Sequence, residues 1–134
     1  PEARVYLFGF SLGGAVALEM AARRDVTAVA TLGAFTSLKD VAPALLRPFV
    51  TEQYDNLETI KRVSEPILLL HGTKDETVDT RMAERLEKAG GANVIRINLT
   101  GGGHWVPLDS IAEKIWLQWE EAEAGKPAAA ENAP

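Results

Sequence analysis

Four short apolar runs are spaced along the chain and are separated by segments with helical periodicity. Each run is nearly continuous rather than alternating with polar positions. Such runs predict strands that are buried on both faces of a parallel sheet, with helices in the connections. The predicted strands are Arg4–Phe8, Val26–Leu32, Pro66–His71 and Asn93–Leu99. The pattern therefore predicts an α/β fold with a parallel sheet of about four strands and helices on both faces.

Three segments between and after these strands carry the signals of helices. The first helix is predicted from about Leu12 to Arg23, over an alanine-rich run. The second is capped by Asp79 or Thr80 and stopped by Gly90-Gly91. The third is predicted to start at the capping box Ser110–Glu113. Its apolar side would carry Ile111, Ala112, Ile115, Trp116 and Trp119. We interpret Trp116 and Trp119, and also Trp105 ahead of this helix, as packing residues rather than as a platform for a ligand.

The long connection between the second and third strands is predicted to do more than link them. Residues 34–65 form a lid-like insertion in one partial domain, residues 1–122, and residues 123–134 are predicted to be a disordered tail. Within the insertion, Thr36–Asp40 can cap a short helix. The apolar face of that helix would carry Val41, Leu45, Leu46 and Phe49. This face is either an acyl-binding pocket or packing that is buried beneath the lid.

The composition narrows the classes of partner. The 134 residues carry a formal net charge of −5 and no cysteine. No basic cluster would attract nucleic acid or an anionic membrane surface, and no apolar run is long enough to span a membrane. The absence of cysteine excludes disulfides and thiolate chemistry and is compatible with a cytoplasmic location.

One short motif stands out after the first predicted strand. Gly9-Phe10-Ser11-Leu12-Gly13 leads from this strand into the first helix. A turn this tight strains the backbone at the serine, and Gly9 and Gly13 are expected to be required because a Cβ at either position would clash. The serine hydroxyl is thereby held above the end of the sheet, at the positive end of a helix. Ser11 is therefore the candidate nucleophile.

A serine nucleophile needs a base within hydrogen-bond reach, and the base needs an orienting carboxylate. His104 follows three glycines just past the fourth strand, and Asp75 lies in the loop after the third. Since the carboxyl ends of parallel strands share one edge, Ser11, Asp75 and His104 are expected at the same edge of the sheet. Three other side chains remain alternatives: His71 as the base, and Glu76 or Asp79 as the orienting group.

Together these motifs resemble the α/β-hydrolase superfamily, and within it the Bem46-like and serine-aminopeptidase-like hydrolases. The resemblance implies a serine hydrolase that cleaves an ester, thioester or amide of a small-molecule acyl substrate, with no metal or organic cofactor. It implies Ser11 as nucleophile, His104 as base and Asp75 as orienting group, with the Leu12 amide in the oxyanion hole. The motifs occur in the expected order: Gly9-Phe10-Ser11-Leu12-Gly13-Gly14, Phe35-Thr36-Ser37-Leu38, Pro66 to Asp75 and Gly102-Gly103-His104.

The resemblance covers only the C-terminal half of such an enzyme. In the family about half of the sheet precedes the nucleophile, and that half supplies the second donor of the oxyanion hole. No counterpart of that half precedes Ser11 here. We therefore expect a C-terminal half that needs a missing N-terminal half or associates with itself. The alternative to an enzyme is a non-catalytic remnant without a complete oxyanion hole.

Overall fold

The strands pair in the order in which they occur along the chain. The computed structural model describes residues 3–51 and 54–125, and in that part four strands form one parallel sheet with the order β1-β2-β3-β4. Their bounds are β1 Tyr6–Phe10, β2 Ala28–Leu32, β3 Ile67–Gly72 and β4 Val94–Leu99. The predicted α/β fold with a four-stranded parallel sheet is therefore confirmed.

Helices cover both faces of the sheet. Strands β2 and β3 are buried along their whole lengths, and their successive side chains point to opposite faces. The α-helices of the described residues are α1 Leu12–Ala21, α2 Leu38–Val41, α3 Asn56–Thr59, α4 Thr80–Gly90 and α5 Leu108–Gly125. On one face Val29 and Leu69 pack against α1 and α4, and on the other Ala30 and Leu70 pack against α5. The two-sided core explains why the strands are apolar without alternation.

The start of α4 agrees with the sequence pattern, whereas the start of α5 does not. Asp79 caps α4 by accepting a hydrogen bond from the backbone N–H of Arg81 at 2.9 Å. The predicted capping box is wrong, because α5 begins at Leu108 and Ser110 lies within its first turn. The carbonyl of Pro107 accepts hydrogen bonds from both the backbone N–H and the hydroxyl of Ser110. The first turn thus closes on the proline.

The tryptophans of α5 form a small aromatic cluster with β1. Trp119 stacks on Tyr6 with ring centres 4.7 Å apart, and Trp116 meets both rings at 5.8–5.9 Å. Trp116 keeps about half of its surface exposed. These contacts confirm the interpretation of the two side chains as packing residues.

The end of α5 is held by polar contacts with the start of the chain. The hydroxyl of Tyr6 donates to the carboxylate of Glu123, and Arg4 forms an ion pair with the same carboxylate at 2.6 Å. The prediction that disorder begins at residue 123 is therefore wrong for residues 123–125, which are helical. The remaining part of the predicted tail, 126–134, lies outside the described residues.

The insertion between β2 and β3 contains the short helix that the Thr36–Asp40 cap predicts, because Ser37 accepts a hydrogen bond from the Asp40 N–H at 3.1 Å, but this helix does not extend over the predicted apolar face. Helix α2 ends before Ala42, which is extended ahead of Pro43, because proline disfavours the helical conformation at the preceding residue. Three apolar side chains beyond this point are exposed over half or more of their area: Leu45, Leu46 and Phe49. Buried packing of these three residues is therefore wrong. Later in the insertion, Ile60 and Val63 are buried in the same layer as α1 and α4.

Five large apolar side chains on α1 and on or beside β1 remain exposed. Among the described strands, β1 pairs only with β2. On α1 the exposed positions recur every four residues, which aligns them along one side of the helix. We call these five residues the β1–α1 surface: Val5, Phe8, Leu12, Val16 and Met20, each 38–48% exposed.

Candidate active site

Ser11 occupies the turn between β1 and α1 in a strained backbone conformation. Its φ of 51° and ψ of −114° lie in a region that residues with a side chain rarely adopt. The turn is fixed on both sides, because the Ser11 N–H donates to the Leu32 carbonyl at 2.8 Å and the Ser11 carbonyl accepts from Gly14 at 3.0 Å. The neighbouring strand and the helix therefore hold the serine in place.

The two glycines that flank the serine are not equivalent. A Cβ on Gly9 would lie 2.1 Å from the carbonyl oxygen of Gly13, which no packing can accommodate. A Cβ on Gly13 would meet no other atom of the described residues within 4 Å. The predicted steric requirement is therefore correct for Gly9 and wrong for Gly13, because Gly13 contributes its backbone to the close approach and its α-hydrogen side faces open space.

Three side chains from the carboxyl ends of β1, β3 and β4 meet at one edge of the sheet. Nε2 of His104 lies 3.0 Å from the hydroxyl oxygen of Ser11, and Nδ1 of His104 lies 2.8 Å from Oδ2 of Asp75. An ionised carboxylate only accepts hydrogen bonds, so Nδ1 carries the proton and Nε2 is free to accept one. The geometry can therefore take a proton from Ser11 while the carboxylate faces the opposite nitrogen.

Asp75 is fixed by its own loop. Its side chain has no exposed surface, and Oδ1 accepts hydrogen bonds from the backbone N–H groups of Thr77 at 2.9 Å and Val78 at 2.8 Å. This local pattern is an Asx turn, which an aspartate in such a loop favours. Oδ2 is left to face His104.

The loops that carry Asp75 and His104 approach each other through glycines. A Cβ on Gly72 would lie 2.2 Å from the carbonyl oxygen of Gly103, so any side chain there would push the loops apart. The backbone N–H of Lys74 donates to the Gly102 carbonyl at 2.8 Å and ties the two loops together. The close approach of backbone to backbone thus explains the glycine at position 72, whereas a Cβ on Gly103 would meet no other atom of the described residues within 4 Å.

Two residues that the sequence analysis missed pack against the imidazole of His104. The ring of Phe10 lies 5.0 Å from it, centre to centre, in a tilted arrangement. Gly33 has a φ of +64°, and a Cβ there would lie 3.1 Å from Cε1 of His104. The signal for Phe10 was its place beside the serine, and the signal for Gly33 was a glycine at the end of a strand on the same edge.

The alternative site residues occupy other positions. His71 is completely buried, and its Nε2 donates to the Val78 carbonyl at 2.8 Å and lies 3.2 Å from Oδ2 of Asp75. Glu76 is exposed, and Asp79 caps α4. Geometry therefore favours His104 over His71 as the base of Ser11, and Asp75 over both other carboxylates as its partner.

The backbone N–H of Leu12 lies at the start of α1, directly after Ser11. The first N–H groups of a helix have no acceptor within the helix, and they form the positive end of its dipole. The backbone N–H of Leu12 is thus one of the groups that make this end of α1 positive. The side chain of Leu12 is about half exposed and leaves the approach open.

Charged residues line a hollow of about 460 Å³ beside the Asp75 loop, between the residues after α2 and the start of α4. Its lining includes Asp40, Glu76, Asp79 and Arg47. Hydrogen bonds from Arg81 lower the pKa of Asp79 to about 2, and the carboxylate in turn raises the pKa of Arg81. Asp79 is therefore ionised throughout the neutral range.

Residues 3–51 and 54–125 contain neither a cluster of metal-binding side chains nor a helix that could span a membrane. No group of three or more histidine, cysteine, aspartate or glutamate side chains in these ranges could hold a metal ion. None of the helices within them is both long and apolar enough to cross a bilayer.

Comparison with known families identifies relatives of this arrangement. The model of the dienelactone hydrolase family matches residues 1–100. An uncharacterized protein of Mycobacterium tuberculosis is 36% identical over 107 residues, which are 76% of this chain and 38% of that protein. Alpha/beta hydrolase domain-containing protein 17B of Homo sapiens is 32% identical over 80 residues, which are 59% of this chain and 27% of that protein. The chain thus spans less than two fifths of these relatives.

Solved structures share the same fold. The esterase domain of a Rhodothermus marinus protein superimposes with a TM-score of 0.70 at 26% sequence identity. The match covers 85% of this chain and 59% of that domain. Both comparisons confirm the resemblance to α/β hydrolases that the sequence motifs indicate, and both confirm that the chain corresponds to part of the longer proteins.

Proposed function

This chain belongs to the dienelactone hydrolase family of α/β hydrolases, and from that premise we propose that it carries the catalytic Ser-His-Asp triad of a serine hydrolase. The observation that supports the proposal is the continuous hydrogen-bond chain from the Ser11 hydroxyl through His104 to Asp75. A serine becomes a nucleophile when one nitrogen of an imidazole accepts its hydroxyl proton and a buried carboxylate orients the ring through the other nitrogen.

In the proposed reaction, the Ser11 hydroxyl oxygen attacks the carbonyl carbon of an ester, thioester or amide. Nε2 of His104 accepts the hydroxyl proton, and Asp75 stabilises the imidazolium through Nδ1. The imidazolium then gives this proton to the leaving group as its bond to the carbonyl carbon breaks. Water attacks the acyl-serine next, His104 removes its proton, and the acid leaves as the serine regains its hydroxyl proton.

The backbone N–H of Leu12 is the proposed donor to the oxyanion that forms on the carbonyl oxygen. Comparable sites use two donors, and removing one costs about 3–4 kcal/mol of transition-state stabilisation. The second donor is expected outside the part of the relatives that this chain matches. Full activity is therefore proposed for the longer protein, in which the triad of this chain works together with that second donor.

A small acyl compound is the proposed substrate. The esterase domain that superimposes on this chain supports an ester as the first class to test. The proposed chemistry uses no metal or organic cofactor, and we propose a cytoplasmic location from the absence of cysteine in the sequence.

The second candidate is a non-catalytic remnant, favoured by the exposed β1–α1 surface and by the single assigned oxyanion donor. An activity-based experiment separates the two. We expect a fluorophosphonate probe to label the full-length natural protein at Ser11, and p-nitrophenyl esters of graded chain length to report turnover. Ser11→Ala should abolish both signals.

The matched control for this experiment is Ser110→Ala, which changes an exposed serine in the first turn of α5. Labelling and turnover of that variant should equal those of the natural protein. Labelling that persists in Ser11→Ala would contradict the assignment of the nucleophile. A natural protein that neither labels nor turns over any of the esters would favour the non-catalytic remnant.

A further inference from the structure

Asp75 contacts a second imidazole besides that of His104. Nε2 of His71 lies 3.2 Å from Oδ2 of Asp75, the oxygen that Nδ1 of His104 approaches at 2.8 Å. We propose that His71 is a positioning residue that shares its Nε2 proton with Asp75 and thereby holds Oδ2 in line with His104. This inference rests on the proposed function, because it concerns the orientation of the same triad.

The hydrogen bonds of His71 define its tautomer. The carbonyl oxygen of Val78, which can only accept, lies 2.8 Å from Nε2, so Nε2 carries a proton. Nδ1 is buried and has no hydrogen-bond partner among the described residues. A proton on Nδ1 would be a buried donor without an acceptor, which is costly. The ring is therefore neutral and carries its proton on Nε2, which lies 2.8 Å from the Val78 carbonyl oxygen and 3.2 Å from Oδ2 of Asp75.

The position of His71 in the fold suits it to orient a carboxylate. It lies within β3, pairs in register with Asn98 of β4 and is completely buried, so its ring cannot follow movements of the loop. Asp75 lies on that loop, and the loop itself supplies only the two donors to Oδ1. A rotation of the carboxylate about its loop anchors would move Oδ2 away from His104. The Nε2–H of His71 opposes that rotation from the rigid sheet.

A purely structural role predicts something different. If His71 only held the loop through the Val78 carbonyl, its loss would lower stability and the amount of folded enzyme. If His71 also orients Oδ2, its loss lowers the turnover of each folded active site, because the imidazolium of His104 is less well stabilised. Substrate binding is then unchanged. The kcat per titrated site and the KM therefore separate the two roles.

Two amide variants place a donor at different ring positions. His71→Gln puts an N–H near the position of Nε2, whereas His71→Asn puts one near Nδ1 and leaves Nε2 without a replacement. In the full-length natural protein, kcat would be measured per active site titrated with a fluorophosphonate. We expect His71→Asn to lose about tenfold in kcat with KM unchanged, and His71→Gln to stay within about threefold of the natural enzyme, since hydrogen bonds to charged groups are the stronger ones.

The stability control is Asn56→Leu, which removes another buried side chain to backbone bond, from the Asn56 amide to the Phe35 carbonyl at 2.8 Å. This variant should lower the melting temperature and leave kcat per site unchanged. Equal kcat values for His71→Gln, His71→Asn and the natural enzyme would overturn the proposal, as would a matching loss in Asn56→Leu. Absence of Ser11 labelling in the natural enzyme would instead overturn the proposed function.

A measurement on the natural protein needs no variant. Nitrogen-15 chemical shifts of the His71 ring should identify a neutral imidazole with its proton on Nε2. A proton on Nδ1 with a bare Nε2 would leave nothing to donate to Asp75 and would overturn the proposal even if neither variant folded.

Discussion

The carboxyl end of the sheet and the β1–α1 surface share strand β1 and helix α1. They differ in how many of their side chains are hydrogen-bonded or buried. At the carboxyl end, Ser11 and His104 are hydrogen-bonded in sequence to a buried Asp75. On the β1–α1 surface, side chains as large as Phe8 and Met20 keep more than a third of their area exposed. The three polar side chains of the first region find their hydrogen-bond partners within the described residues, whereas the apolar side chains of the second region stay exposed there.

This difference separates the properties that depend only on contacts within the described residues from those that depend on additional residues. The geometry of the proposed triad is set by contacts between the four strands and their loops, all of which lie within the described residues. The β1–α1 surface has the character of a face that other residues cover, and the relatives that this chain matches are more than twice as long. Turnover therefore tests the proposed triad, and self-association tests the β1–α1 surface.

The largest effect is expected at His104. His104→Ala removes the base and should lower turnover of the full-length natural protein at least about a thousandfold, since triad members act as a unit. On the β1–α1 surface, Val16→Ala keeps an apolar side chain at a position away from the reacting groups and should change turnover less than twofold. Ester hydrolysis by the purified proteins measures both. A larger loss in His71→Ala than in His104→Ala would exchange the roles of the two histidines.

The glycines beside the serine provide a matched pair within one turn. Gly9→Ala forces a Cβ to within 2.1 Å of a carbonyl oxygen and should cost about 3 kcal/mol or more of unfolding free energy. Gly13→Ala places a methyl group in open space on a helix and should be neutral or stabilising by up to about 1 kcal/mol. Urea unfolding compares the two. Similar losses would mean that Gly13 is also needed at the turn.

The exposed surface is tested on the 134-residue chain alone. An unpaired strand edge and an exposed apolar stripe promote association, so this chain should self-associate and show little or no esterase activity. Val16→Lys combined with Met20→Lys should reduce the mass measured by light scattering after size exclusion. Its unfolding free energy should change by only about 0.5 kcal/mol, because both positions are exposed. A monomeric, fully active natural chain would contradict this prediction.

The smallest expected effect is a change in unfolding free energy at Glu19, where α1 contacts α3 and the turn after it. Hydrogen bonds from Arg23 lower the pKa of Glu19, and Thr59 and Arg62 also contact its carboxylate. A lowered pKa means that the ionised carboxylate stabilises the fold above its ordinary pKa of 4.5 and that this contribution is lost as the pH falls through the lowered value. Glu19→Gln should therefore cost about 0.5–1 kcal/mol at pH 7 and nothing in strong acid.

Unfolding experiments at the two pH values check this expectation. Glu58→Gln is the control, because within residues 3–51 and 54–125 the Glu58 carboxylate forms only an exposed ion pair with Lys61, one turn away. A cost for Glu19→Gln that is the same at both pH values would mean that packing rather than charge explains the loss.

The sequence predicted those parts of the fold that depend on patterns within a segment. The four strands are continuous apolar runs, and the Ser11, Asp75 and His104 motifs follow three of them, so their common edge could be inferred. The missed details depend on contacts between segments or on single prolines. The spacing of Leu45 and Phe49 suggested one helix, but Pro43 ends α2 before it.

The sequence did not reveal two residues of the site, one of which acts through its lack of a side chain and the other through the packing of its ring. Gly33 matters because the His104 ring lies against it, and Phe10 because its ring packs on the same imidazole. Neither contact is visible until β1, β2 and β4 are placed together. Gly13 was over-interpreted for the opposite reason, since its symmetrical place in the motif suggested a symmetrical steric role.

The strand order also has a consequence for biosynthesis. Because the order in space equals the order in sequence, each new strand that leaves the ribosome finds its neighbour already made. The exception is the contact of Arg4 and Tyr6 with Glu123, which joins residues 119 and 117 positions apart. We expect β1 to become fully ordered only after the end of α5 has formed. In pulsed hydrogen exchange during refolding, the amides around Tyr6 should therefore gain protection last.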